Sequence, residues 1–282
     1  MKRGEILLDL SILDEWSSEL ERMNAGKEGG QYAYPELFIR LLGYTRVLFH
    51  LPYRQTEGFL RALRRFDSRI QVPDYSTIDR RVNKLDVKLD KEGYGDDIVI
   101  AVDASGIKVS NRGDWIRHKW KVKRGYLKIH IAVDTKSKKI TSMNVTSEKV
   151  SDSKLLKKLV DETIQKAKVN KVLADGAYDS KKNFRYLTEK KIEPVIKVRK
   201  NTSNKAGGRI PRKLVAQEYL RNPEAWKRNH GYGQRWMVES TFSSLKRTFG
   251  EYVSARKLRN MENEMMIKAS LYNLFVGMPV NT

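Results

Sequence analysis

Tyr232, Arg235, Glu239 and Lys246 lie three, four and seven residues apart in turn. In a helix advancing about 100° per residue, the last three fall within roughly 60° of Tyr232. A phenol, two cations and a carboxylate therefore share one face. A carboxylate so placed suits a metal ion, and its basic neighbours suit the phosphates on which that ion would act. Val238, Phe242, Leu245 and Phe249 make an apolar stripe beside this face and would seat the helix on a core. The same pattern also describes an ordinary amphipathic helix with a solvated charged face.

Two aspartates extend the chemistry. Asp103 closes the apolar run from Asp97, and Asp175 closes the run from Lys171, each typical of a buried strand. In α/β sheets, ligands bind outside the carboxyl ends of strands. If those strands are neighbours, Asp103 and Asp175 meet, and Glu239 can close over them. Hard oxygen donors favour Mg²⁺, with Mn²⁺ as its substitute. Two such ions about 3.5–4 Å apart activate an attacking oxygen and stabilise the leaving one in phosphodiester chemistry. An aspartate at a strand end is equally a common cap or turn residue, and Asp134, before a turn, reads that way. The chain has no cysteine, which excludes disulfides, thiolate zinc and a cysteine nucleophile, and His50, His118, His130 and His230 show no ligand spacing.

The elements that must position these groups change character along the chain. Residues 1–95 read as helices: Leu10 to Met23, a stretch after Pro35, Thr56 to Phe66, and a helix capped by Ser76 that carries Arg80 and Arg81. The last two outline a helix-turn-helix, with the arginines near the start of its reading helix, although such a pair is also a common packing unit. Residues 96–282 read as β-β-β-α-β-α-β followed by the long helix from about Tyr232 and a closing helix, Glu262 to Val276. Gly125–Asp134 and Lys139–Thr146 form a hairpin. Pro194 makes its strand an edge strand. Residues 199–230 read as a basic, irregular insertion or loop.

Net charge is +22 over 282 residues, more than solubility needs, and implies a polyanionic partner such as nucleic acid. It is uneven: residues 1–97 hold 16 basic against 17 acidic residues, residues 98–282 hold 40 against 17. Within the first part, residues 40–84 carry 10 basic and 4 acidic residues, a basic block of their own. No apolar run approaches the roughly 20 residues of a membrane span, and the N-terminus is a poor signal peptide. No membrane partner is expected, and the expected compartment is the cytoplasm.

Asp103, Asp175 and Glu239 in their contexts, with the Tyr232–Lys246 spacing, resemble the acidic triad of DDE transposases. The chain resembles those of bacterial and archaeal insertion sequences, specifically the related families numbered four and five. Tyr34–Leu42, His50–Leu60 and Val72–Thr77 resemble the N-terminal region of that group. The resemblance implies an RNase H-like catalytic core behind a helical N-terminal domain that binds DNA ends and dimerises. It implies Mg²⁺-dependent hydrolysis at the ends of a mobile element, then attack of the freed 3′-hydroxyl on target DNA. Asp103, Asp175 and Glu239 are then catalytic metal ligands, and Tyr232, Arg235 and Lys246 hold the DNA backbone beside them. Arg80 and Arg81 are the expected end-binding contacts. A nucleoid-associated homodimer, at least on DNA, is expected. Only 63 residues separate Asp175 from Glu239, which leaves little room for the β-rich insertion that some relatives carry there. Two alternatives share the acids: another RNase H-like nuclease of resolvase or repair type, and a domesticated transposase acting as a DNA-binding regulator.

Overall fold

The computed structural model describes residues 10–89, 93–109, 126–199 and 211–278. It divides into two compact units: residues up to Lys88 with Arg256–Leu271, and Leu89–Ala255 with the residues from Tyr272 onward.

The first unit holds helices α1 (Trp16–Asn24), α2 (Glu36–Phe49), α3 (Tyr53–Leu63) and α4 (Tyr75–Val82). Pro35 and Pro52 stand just before α2 and α3 with extended backbone, where the ring's fixed φ leads into the helix and no donor is lost. Phe38, Ile39, Leu42, Leu60, Ile78 and Val82 are buried together with Met261, Met265 and Ile267 of the closing helix. Polar bonds fix that closing segment within the unit: Tyr44 Oη lies 2.8 Å from Ser270 Oγ, and Asn263 Nδ2 donates to Val82 O at 2.6 Å. The helix-turn-helix outline needs correction in three respects. Residues 64–74 intervene between α3 and α4, too many for a short turn. The cap of α4 is Asp74, not Ser76, because its carboxylate accepts from the amides of Ser76 and Thr77. Arg80 and Arg81 then fall in the last turn of this helix rather than near its start.

The second unit is built on strands β1 (Asp97–Val109), β2 (Tyr126–Asp134), β3 (Ile140–Ser147), β4 (Lys168–Ala174) and β5 (Glu193–Ile196) in the order β3-β2-β1-β4-β5. The first three pair antiparallel, and β4 and β5 run parallel to β1, the RNase H-like arrangement. Edge strand β5 contains Pro194, as its missing donor requires. β1 runs past Asp103 because Ala104–Lys108 stay paired with β2. Helices α5 (Leu156–Ile164) and α6 (Lys181–Glu189) bury Leu156, Leu159, Val160, Phe184 and Leu187 against Ile98, Ile100 and Val102 of β1. Alternation along β1 turns Asp103 and Ser105 to the other face.

Residues 211–229, read from sequence as irregular, form α7 (Pro211–Arg221) and α8 (Pro223–Asn229), which leaves residues 200–210 of the expected loop outside the described residues. Pro211 and Pro223 open these helices, where a proline costs no intrahelical bond, and Asn222 caps α8. Prolines taken as loop residues are helix starts. After them come α9 (Trp236–Phe249), the short β6 (Tyr252–Val253) beside the far end of β1, and α10 (Leu258–Gly277). Within this unit Asn273 of α10 pairs with both the amide and the carbonyl of Ile140, serving one residue of edge strand β3 as a neighbouring strand would.

Candidate functional site

The register of β1 and β4 pairs Val102 with Ala174, so Asp103 and Asp175 follow side by side at the carboxyl end of the parallel pair. Asp103 Oδ1 accepts from the Ala104 amide at 2.8 Å, and Oδ2 accepts from Arg235 Nη1 at 2.9 Å. Burial pushes the Asp103 carboxyl above its ordinary pKa; Asp175's charge adds to this, while the Ala104 amide and Arg235 oppose it. Asp175 leaves the strand with extended backbone and caps the 3₁₀ turn Gly176–Tyr178, its Oδ1 accepting from the Ala177 amide at 2.8 Å.

The sequence signature meets these acids from the other chain segment. Gly231 takes φ 66°, left-handed backbone that suits glycine, and starts a 3₁₀ turn at Tyr232–Arg235 before α9 begins. The long helix therefore starts at Trp236, not at Tyr232. Val238, Phe242, Leu245 and Phe249 are buried, as the stripe requires. Each such burial contributes about 1.5–3 kcal/mol, enough to fix which face α9 shows to β1. On that face Arg235 holds Asp103 with Nη1 and Glu239 with Nη2, and Lys246 Nζ donates to Ser105 Oγ at 2.8 Å. Asp103, Ser105, Glu239, Lys246 and Arg247 line an open cleft of about 610 Å³.

Tyr232 packs against buried Trp226 with ring centroids 5.5 Å apart and planes tilted by 46°, and its ring centre is 6.0 Å from the Arg235 guanidinium. Burial, with Asp175's charge as a lesser cause, pushes its phenol up to about 12. Trp226 also meets Tyr219 and His230, so one indole seats the start of the signature. The structure thus gathers Asp103, Asp175, Tyr232, Arg235, Glu239 and Lys246 at one place. It sets Arg235 between Asp103 and Glu239, and among the described residues no three Asp, Glu or His side chains converge as a ready metal cluster. Arg80 and Arg81 belong to the other unit: Arg80 is exposed and donates to Thr77 Oγ1 at 3.1 Å, and the Arg81 guanidinium lies over the Tyr32 ring at 4.5 Å from its centre.

Sequence reading missed the supports. Ser105 anchors Lys246 from across 141 residues. Asp179 is fully buried at its side chain, accepting from Arg212 Nη2 at 2.8 Å, from Arg212 Nε, and from the Arg199 amide at 3.0 Å. Burial alone would raise its pKa, but Arg212 and the Arg199 amide outweigh it and hold the carboxyl below the ordinary range. Arg199 Nε donates to Gly176 O at 3.0 Å, gripping the same turn a second time. The signal was present as a second aspartate four residues after Asp175, with nothing local to mark its partners.

Residues 94–274 match the family model described as a transposase DDE domain, and residues 1–112 match a second model of the same description. Among solved structures, the chain is similar to one in the simian T-cell lymphotropic virus intasome in complex with PP2A regulatory subunit B56 gamma. Identity there is 14% over 70% of this chain, and the chain spans 65% of that chain's length, at a TM-score of 0.30. It is also similar to the piggyBac transposase in a synaptic complex with hairpin DNA (10% identity, 97% of this chain, 73% of that one, TM-score 0.41). A third is the Drosophila P element transposase in a strand transfer complex (11%, 95% and 85%, TM-score 0.32). At these scores the likenesses carry no weight for the fold, which rests on strand order and direction.

Proposed function

The chain belongs to the family of DDE-domain transposases, and from that premise we propose that it binds the ends of a prokaryotic insertion sequence of the fourth or fifth family type, cuts them and joins the 3′-hydroxyl ends to target DNA. The observation that carries this reading is the juxtaposition of Asp103 and Asp175 at adjacent parallel strand ends with Glu239 on the facing helix. The donor set fits a divalent cation. All three donors are carboxylates, and burial together with Asp175's charge makes the ionised Asp103 costly without a positive neighbour. Asp103, Asp175 and Glu239 would hold Mg²⁺, or Mn²⁺ in its place. Bound there, the ion supplies charge stabilisation at the phosphoryl group and activates the attacking oxygen.

The remaining roles belong to the chain's own side chains. Arg235 now neutralises Asp103 and Glu239; a cation held by those acids would release its fork to take a DNA phosphate, for which planar bidentate geometry suits it. Lys246, fixed by Ser105, offers a point charge along the same face. Tyr232, half-buried on Trp226, presents its hydroxyl beside Asp175. Residues 1–95 are proposed as the end-binding and dimerising domain, with exposed Arg80 as its leading contact and Arg81 in support; working as a homodimer on DNA belongs to the same reading.

The test uses purified full-length protein and a duplex containing the gene's own flanking DNA. Wild type is expected to nick at the element boundary with Mg²⁺ and leave a 3′-hydroxyl. Asp103→Ala, Asp175→Ala and Glu239→Ala are each expected to lose cleavage while keeping DNA binding. Cleavage by Asp175→Ala at a near wild-type rate would overturn the assignment. Cutting at branched junctions with no preference for the boundary would point to a resolvase instead.

A further inference from the structure

Asp175 would be a poor ligand if its carboxylate were free to turn. One oxygen is tied to the Ala177 amide, so the other stays available only while the Gly176–Tyr178 turn keeps its shape. That turn is gripped from its far side. Asp179 closes it, its amide donating to Gly176 O at 3.3 Å, and its carboxylate has no exposed surface. Three donors from two later parts of the chain converge on that carboxylate: both Arg212 nitrogens from α7, and the Arg199 amide from beyond β5. Arg199 adds its own side-chain bond to Gly176 O. A buried aspartate costs folding energy unless it is well paired, and this one is paired by the Arg212 guanidinium and the Arg199 amide. Its bonds run to the exit of the strand that carries Asp175.

We infer that Asp179, clamped by Arg212 and the Arg199 amide, is a positioning residue that fixes the Asp175 carboxylate for cation binding. This rests on the reading of Asp175 as a metal ligand. Supports of this kind commonly set metal affinity, and losing one costs about 10–100-fold.

The experiment measures thermal stabilisation of the full-length protein by Mn²⁺ alone, without DNA. Wild type should show a saturable rise in melting temperature, and Glu239→Gln should weaken it as loss of a direct ligand. Asp179→Asn keeps the shape of the side chain but loses the ion pair. It should raise the half-saturating Mn²⁺ concentration about tenfold and leave affinity for duplex DNA within about twofold. Arg212→Lys, which keeps the charge and loses the fork, should fall between. If Asp179→Asn does not fold, Arg212→Lys and Arg212→Gln carry the comparison. A lower melting temperature with unchanged Mn²⁺ half-saturation would reduce Asp179 to a structural ion pair and overturn the inference. No Mn²⁺ response in wild type would instead overturn the metal reading on which it rests.

Discussion

Arg235 is bound by two of the acids it was expected to accompany, and this makes it the resident counter-cation of Asp103 and Glu239. Arg235→Ala should therefore destabilise the metal-free protein by bringing two carboxylates together unneutralised. The Asp103 side is partly buried and the Glu239 side about half exposed, so the expected loss is about 1–2 kcal/mol, or a melting point lower by roughly 2–6 °C. The loss should appear in EDTA and shrink when Mg²⁺ is added; an equal loss in both would mean that Arg235 does not share the cation's place. Among the described residues Lys246 makes no bond to an acid of the site and donates to Ser105. Lys246→Ala should weaken binding to DNA and lower cleavage in proportion, with cleavage partly restored at high DNA concentration. Normal binding with no cleavage would move Lys246 into the chemical step. The acids themselves were legible in sequence because type, spacing and strand-end context are local properties. Arg235's hold on Asp103 joins residues 132 apart, and no local pattern encodes that.

Helices and strands carry a pH dependence that follows from two histidines. His230 bridges β5 and α7, with Nδ1 2.7 Å from Glu193 and Nε2 2.8 Å from Glu218; Lys171 of β4 pairs with Glu193, and Trp226 of α8 covers the ring. Burial pulls this imidazole down, but the two carboxylates outweigh it, so it titrates above its ordinary value. Its contribution is fully present below about pH 6.5 and is lost as pH rises through the raised folded value. Amide protection in α7 and α8, after division by the intrinsic base-catalysed exchange rate, should therefore fall from neutral to alkaline pH. His230→Gln should remove that pH step, and an unchanged step would assign it to another group. His130 behaves oppositely: burial drives it to about 4, so its contribution is present above about pH 6.5 and lost as pH falls through about 4. The β-β-β-α-β-α-β order was legible because its apolar runs and turn residues are strong local signals. Residues 211–229 were not, since Pro211, Asn222 and Pro223 are equally at home in loops and at helix starts, and only buried Ala216 and Trp226 decide between them.

At the scale of the whole molecule, the net charge of +22 sets how strongly affinity for DNA should depend on salt. Each phosphate neutralised adds about −0.9 to the slope of log affinity against log salt. The structure sorts the basic residues of 199–230 that the sequence could only count. Arg212 and Lys227 are held by Asp179 and Glu224, whereas Arg221 and Arg228 are exposed. Replacing Arg221 and Arg228 with Gln should flatten the slope by up to about 1.8. Arg212→Gln should leave it unchanged while lowering the melting point; the reverse ranking would mean that Arg212 leaves Asp179 to meet DNA. That same carboxylate has a consequence for chain length. Because Arg199 and Arg212 both end on Asp179, the chain departs and returns at a single anchored point, with residues 200–210 between. Closing a longer loop costs only about 0.6 kcal/mol for each doubling of its length. The anchor therefore fixes the two ends, Arg199 and Arg212, independently of the length of chain between them. Ten Gly/Ser residues added between positions 204 and 205 should lower the melting temperature by no more than about 2–4 °C. The strand ends that carry Asp103 and Asp175 would then be insulated from changes in chain length between the two arginines.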